Sequence, residues 1–126
     1  MKLESYKDLL VWQKAVEVTV EIYKAAGGYP KTEIYGLAAQ TRKSAVSIAS
    51  NIAEGWSRQH IQEYLQFLNI ALGSAAELET QLIIANKLGF LGAEGFRRIG
   101  ALNIEVMKML NSLMARLRIN AKIPKT

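Results

Sequence analysis

Metal binding, nucleophilic attack and proton transfer each need particular side chains, and few of them are present here. The 126 residues include no cysteine and a single histidine, His60. That composition removes disulfides, thiolate nucleophiles, cysteine-ligated zinc and every two-histidine metal motif, including the Glu-x-x-His pairs of di-iron bundles. Glu77 and Glu79 make a poor acid/base pair, because residues two apart on a helix point about 200° apart. Glu54 and Glu77 could meet across two helices, yet without a histidine, a ligand set or a nucleophile they make a weak case for catalysis. His60 falls in the first turn of a helix just after Arg58, where an exposed, incidental side chain is the expectation. Neither Gly-x-Gly-x-x-Gly nor a Gly-Lys-Ser/Thr phosphate loop occurs. No enzyme activity, cofactor or metal is expected.

Two polar patterns are left. Gln40, Ser44, Ser47, Asn51 and Glu54 recur at spacings of four and three beside an apolar stripe, so they share one helix face. Gln66, Asn69, Glu77, Thr80 and Gln81 offer partners on the next helix. A buried ligand site is one reading of the stripe; the favoured one is that these groups fix helix register and oligomer choice. The second pattern is charge. Up to Glu105 the chain holds 11 Lys/Arg and 11 Asp/Glu, so the formal +5 comes from Lys108, Arg116, Arg118, Lys122 and Lys125. A cationic end of this kind suits phosphate or another acidic surface. Arg116, Arg118, Lys122 and Lys125 are the main candidates for nucleic-acid contact, and Lys108, Arg42, Lys43 and Arg58 the lesser ones, the last three mattering only if assembly gathers them with the C-terminal charges.

The elements that must position these groups are helical. Both prolines, Pro30 and Pro124, lie outside the periodic segments, and glycines mark the breaks. The expected helices span about 8–26, 32–54, 58–88 and 93–119, followed by a basic tail over 120–126. Ser5-x-x-Asp8, Thr32-Glu33 and Ser57 are the expected starts, and Gly27-Gly28, Gly55 and Gly89 the stops. Apolar residues repeat at three and four in each: Leu9, Trp12, Val16, Val20 and Tyr23; Leu37, Thr41, Ala45, Ile48 and Ile52; Ile61 through Leu82; Ile99 through Leu117. Four long helices on short turns predict one all-α domain, an antiparallel up-down-up-down four-helix bundle. Gly73-Ser74-Ala75-Ala76 within the third helix suggests close helix approach. Second apolar faces, namely Val11, Ala15, Val18 and Ile22 on the first helix, Phe67, Ile70, Ile83 and Ile84 on the third, and Ile104, Met107 and Met114 on the fourth, are expected to form an interface between copies. The N-terminus lacks the apolar run of a signal peptide, and no apolar stretch reaches 18 residues, so a soluble cytoplasmic protein without a membrane partner is expected.

Several strings also carry a family resemblance. Leu10-Val11-Trp12-Gln13-Lys14-Ala15, Tyr35-Gly36-Leu37 with Gln40-Thr41-Arg42-Lys43, Ser47-Ile48-Ala49-Ser50-Asn51-Ile52-Ala53-Glu54-Gly55, and Ala71-Leu72-Gly73-Ser74-Ala75-Ala76-Glu77-Leu78-Glu79-Thr80-Gln81-Leu82 follow one another in order. Together they resemble the bacterial four-helix-bundle proteins encoded in 23S ribosomal RNA intervening sequences, over about residues 6–118. That family is similar in fold to the accessory variability proteins of diversity-generating retroelements, which form basic pentameric barrels and bind nucleic acid and a reverse transcriptase. The resemblance implies a homopentamer with a nucleic-acid-linked role, and a reverse transcriptase partner by analogy alone. It supplies no catalytic residues, and its motif positions Asn51, Glu54, Glu77 and Glu79 are architectural. Two functions are therefore expected in competition: a non-enzymatic oligomeric adaptor for RNA or DNA, or a protein-interaction scaffold whose basic tail is incidental.

Overall fold

The computed structural model describes residues 3–121, and within them the chain forms four long helices and no strand. Helix α1 spans Leu10–Ala26, α2 Leu37–Trp56, α3 Ile61–Lys87 and α4 Ala93–Asn120. The contacts across each seam run in opposite chain directions. Lys14 pairs with Glu105 and Glu21 with Arg98; Thr19 reaches the Ala45 carbonyl and Arg42 the Tyr23 carbonyl. Ser47 meets Ser74, whereas Gly55 lies against Tyr64 and Phe67. Every helix therefore runs antiparallel to its neighbour. The helices pack in the ring order α1, α2, α3, α4 and back to α1, without diagonal contact between backbones. This is the expected up-down-up-down bundle.

The helix starts differ from the expected ones for local reasons. Ser5 and Asp8 do form a capping box, but it caps a single 3-10 turn at Tyr6–Asp8, and α1 begins only at Leu10. A second 3-10 turn at Lys31–Glu33 replaces the expected start at Thr32. Glu33 serves α2 from outside it, its carboxylate accepting the Leu37 N–H at 3.0 Å and so satisfying one of the helix's unpaired donors. Ser57 caps nothing; its hydroxyl donates back to the Ala53 carbonyl at the end of α2. Gly89 has φ +79 and turns the chain out of α3, in the left-handed region that glycine enters without strain.

Leucine, isoleucine and alanine fill the centre. Ile48 and Ile52 of α2, Leu68, Leu78 and Leu82 of α3, and Ile99, Val106 and Leu110 of α4 are buried, as their stripes foretold. On α1 the expected stripe holds only at its start, where Leu9 is buried and Trp12 packs against the core. Val11, Ala15, Val18, Ile22 and Ala26 face the core, while Val20 remains 47% exposed and Tyr23 is exposed as well. The apolar arc of α1 is wider than the core can cover. With the Val11 to Ala26 line packed inward, Lys14 and Glu21 are left at the α4 side of the helix, where they pair with Glu105 and Arg98. Val11, Val18 and Ile22 therefore cannot form an interface between copies, because the subunit's own core already occupies them. Ile22→Ala should lower stability by about 2–5 kcal/mol, against within about 0.5 kcal/mol for Val20→Ala, in urea unfolding at a fixed protein concentration.

Two glycines exchange their expected roles. A Cβ at Gly55 would come within 2.9 Å of both Phe67 Cβ and Tyr64 Cδ1 and within 3.2 Å of the Tyr64 carbonyl oxygen. Gly55 thus lies inside α2 as the point of close approach to α3, one residue before the helix ends. Gly73, in the small-residue run of α3, meets nothing within 4 Å. Close packing in that run comes instead from Ser74 and Ala75, both buried. The same substitution should then act in opposite directions. Gly55→Ala should cost about 1–3 kcal/mol through overpacking, whereas Gly73→Ala should gain about 0.5–1 kcal/mol from helix propensity. Urea midpoints of the two variants decide the matter.

Candidate functional site

The cationic residues do not form one patch. Lys108 and Arg116 of α4 lie on the same groove of about 410 Å³, whose other wall is Leu9, Leu10 and Val11 at the start of α1 and whose floor includes Met109 and Leu113. They are eight residues apart, a little over two helical turns, so both point to one side. Arg118, two residues after Arg116 and so about 200° round the helix, is half-buried and does not line this groove. No Asp or Glu follows Glu105 in the chain, and neither Lys108, Arg116 nor Arg118 takes part in an ion pair among the described residues. Lys122 and Lys125 lie outside the described residues.

The lesser candidates have other work. Arg42 sits over the Tyr23 ring at 5.1 Å and donates to the Tyr23 carbonyl at 3.4 Å, which ties the start of α2 to the end of α1. Lys108 and Arg116 flank the opposite end of α1, a helix of 17 residues and hence about 25 Å long. Arg58 bonds Glu54 at 2.6 Å, approaches Glu63 at 3.8 Å and covers the Phe67 ring at 4.8 Å. Its charge is matched by two carboxylates at the α2–α3 turn. Lys43 alone of the three remains unpaired among the described residues, and it belongs to a different groove.

That second groove gathers much of the polar stripe. Gln40, Lys43, Ser44 and Ser47 of α2 face Glu77 and Gln81 of α3 around about 230 Å³. The Ser47 and Ser74 hydroxyls hydrogen-bond across the two helices at 2.9 Å. Asn51 donates to the Ser47 carbonyl at 2.8 Å and to its hydroxyl at 2.9 Å, which orients the pair. Glu54, turned toward Arg58, stands outside the groove. Glu77 lines this groove while Glu79 lines another between α3 and α4, as the two-residue spacing requires.

Ile104, expected at an interface, is exposed on that α3–α4 groove beside Ile83 and Phe96; Met107 is half-buried. Sequence reasoning missed Asn103, which is 0% exposed and donates through Nδ2 to the Ala75 carbonyl at 2.8 Å. Its signal was available: Asn103 falls between Ile99 and Val106 at the spacing of the α4 core stripe.

Acid/base chemistry finds no support in the titrating groups. Glu21 is held below the usual carboxylate range by its hydrogen bond to Arg98, against the opposing effect of partial burial. Tyr64 is pushed up to about 12 by burial, and Tyr29 is raised for the same reason; neither hydroxyl has a hydrogen-bond partner. His60 is exposed ahead of α3. No cluster of three or more metal-ligating side chains occurs among the described residues, and no described helix is long and apolar enough to cross a membrane.

The fold and these surfaces define a small antiparallel four-helix bundle with a polar α2–α3 seam and a cationic groove at the end of α4. The chain belongs to the family described as 23S rRNA-intervening sequence protein, whose sequence model matches residues 7–112. It is similar to a protein of unknown function from the S23 ribosomal protein family of Bacteroides thetaiotaomicron, solved by crystallography. The two share 28% identity with a TM-score of 0.76, over 83% of this chain and 98% of that one. No relative was found among curated proteins.

Tyr64 gives a pH test of the core. The folded state holds this phenolic proton more tightly than the unfolded chain, where tyrosine ionises near 10.0. Its contribution to stability is thus complete below about pH 10 and is lost as pH rises toward 12. Tyr64→Phe keeps the ring beside Trp56 and should move alkaline unfolding, followed by circular dichroism, to higher pH.

Proposed function

We propose that this protein is a non-enzymatic, oligomeric adaptor that binds RNA or DNA through its phosphates, acting in the cytoplasm. The observation that carries the reading is the shared groove of Lys108 and Arg116 in an acid-free stretch of α4. Phosphate oxygens accept from such groups without regard to base sequence. One subunit offers few contacts, so affinity depends on repetition. Five copies, the number implied by the resemblance, would place about 25 formal positive charges on one particle and convert weak contacts into a multivalent one. Ile104 and Met107 of α4, with Ile83 of α3, replace the α1 residues as candidates for the contact between copies. Partnership with a reverse transcriptase rests on analogy alone.

A second reading has its own support. The exposed Ile83 and Ile104 give the α3–α4 side an apolar surface of the kind that binds protein, and a scaffold needs no phosphate contact. Mobility shifts with a structured RNA and a DNA duplex at two salt concentrations separate the readings. The intact protein should bind at low salt, depend little on sequence, and weaken steeply with salt. Changing Lys108, Arg116 and Arg118 together to glutamine should weaken binding by at least about tenfold and flatten the salt dependence, by about 0.9 in log-log slope for each lost duplex phosphate contact. Failure of the intact protein to bind, or unchanged binding by the triple variant, would overturn the assignment in favour of the scaffold. Light scattering on the same samples tests assembly: a monomer mass contradicts the oligomer, and a ring of another size contradicts only the number five.

A further inference from the structure

Two features at one end of the bundle have no use inside the subunit. Glu33, Ile34, Tyr35 and Gly36 form a turn closed by the Gly36 N–H, which donates to the Glu33 carbonyl at 3.0 Å, so Ile34 and Tyr35 take its corners. Turn corners usually carry small or polar residues. Here Ile34 is 55% exposed and Tyr35 93%. The turn is nevertheless braced, because the Glu33 carboxylate also accepts the Leu37 N–H at the start of α2. A bulky apolar pair is thus held out to solvent on a pre-organised tip, where docking costs little ordering entropy. The second feature is the α3–α4 groove of about 250 Å³, whose open surface is almost wholly apolar. Ile83, Phe96 and Ile104 line it beside Gly100, where an added Cβ would meet nothing within 4 Å. The hole is open because that position carries no side chain.

Tip and hole are placed to meet in successive copies. The tip belongs to the connection between α1 and α2, and the groove lies between α3 and α4, so they sit on opposite sides of the four-helix ring. They also share one end of the bundle, where Tyr29 of one connection and Phe90 of the other pack with ring centroids 5.9 Å apart. A knob and a hole on opposite sides of a subunit repeat head to tail and can close into a ring. We propose that Tyr35 of one copy fills the α3–α4 groove of the next, its ring lying against Gly100 among Ile83, Phe96 and Ile104. This rests on the oligomer reading above and supplies the other half of its contact. Charge complementarity makes a second copy the occupant. Lys31 and Glu33 flank the tip, Glu79 and Arg97 line the groove, and none of the four joins an ion pair among the described residues. Lys31 meets Glu79 and Glu33 meets Arg97 as the tip enters. A tyrosine buries about 150–250 Å², against about 800 Å² per partner in a stable interface. Tyr35 is therefore the anchor of a wider contact.

The test is sedimentation velocity of the full chain over a dilution series, with circular dichroism confirming the fold of each variant. The parent should assemble. Tyr35→Ala removes the knob, and Gly100→Leu fills the hole from within its own subunit. Each should raise the concentration of half-dissociation by at least about tenfold, whereas Tyr35→Phe keeps the ring and should assemble as the parent does. Because the chain has no cysteine, introduced thiols report the contact directly. Lys31→Cys combined with Glu79→Cys in one chain should, on oxidation, link copies into a ladder on a denaturing gel, and adding Tyr35→Ala should suppress the ladder. The proposal is overturned if the parent assembles while Tyr35→Ala and Gly100→Leu keep its half-dissociation concentration, or if the double-cysteine chain gives no link between copies. In both cases the oligomer reading itself stands. A parent that stays monomeric throughout overturns that reading and this proposal together. No nucleic acid enters the experiment, so its result is independent of the phosphate reading.

Discussion

The close approach of α2 to α3 is the constraint on which the bundle depends. Gly55 leaves no room for a methyl group between the helices, and buried Ser44, Ser74, Ala71 and Ala75 keep them near one another along the seam. At that separation hydroxyls can bond directly from helix to helix, as Ser47 and Ser74 do. Larger residues would force the pair apart and widen the cavity that Leu68, Leu78 and Ile48 fill. The polar seam and the apolar core are two sides of the same packing decision. Asn103 extends the principle to α4, where its bond to the Ala75 carbonyl penalises any sliding of α4 along α3.

The surface separates two kinds of charge. At the α2–α3 turn, between α1 and α2, and along the α1–α4 seam, basic residues are spent on carboxylates and aromatic rings of the same subunit, as with Arg58, Arg42 and Arg98 respectively. On the last turns of α4 they face no acid. Coulomb attraction for a distant polyanion comes from uncompensated charge, so formal totals mislead until each residue has been assigned its partner.

Much of the architecture was legible in the residues. Spacing gave the number and order of the helices, and Gly89 marked a true stop. Spacing could not say which of two stripes on α1 would turn inward, because both satisfy the three/four repeat. That choice is made by tertiary packing, which buries Val11, Ala15, Val18, Ile22 and Ala26 and leaves Val20 and Tyr23 outside. The cap signal failed at Thr32 because Glu33 accepts the Leu37 N–H, and at Ser57 because α3 begins only at Ile61, with no side chain capping it. The polar stripe was visible as a face, yet only the packed pair of helices shows that it borders a groove. Asn103 went unnoticed because a polar residue in an apolar register looks like a break in the pattern.

The α1–α4 seam joins the first helix to the last, and its Arg98 to Glu21 contact spans 77 residues of chain. Ser47 to Ser74, at the heart of the α2–α3 seam, spans 27. Entropy of loop closure favours the shorter connection, and the turns at 57–60 and 88–92 are brief enough for α2, α3 and α4 to assemble locally. Helix α1 must travel along a longer connection, residues 27–36, before it can close the ring. Its contact with α2 is nonetheless local, Thr19 to Ala45 spanning 26 residues, so only the α1–α4 seam waits on the whole chain. By the same reasoning the α1–α4 seam is expected to be the last to close and the first to open.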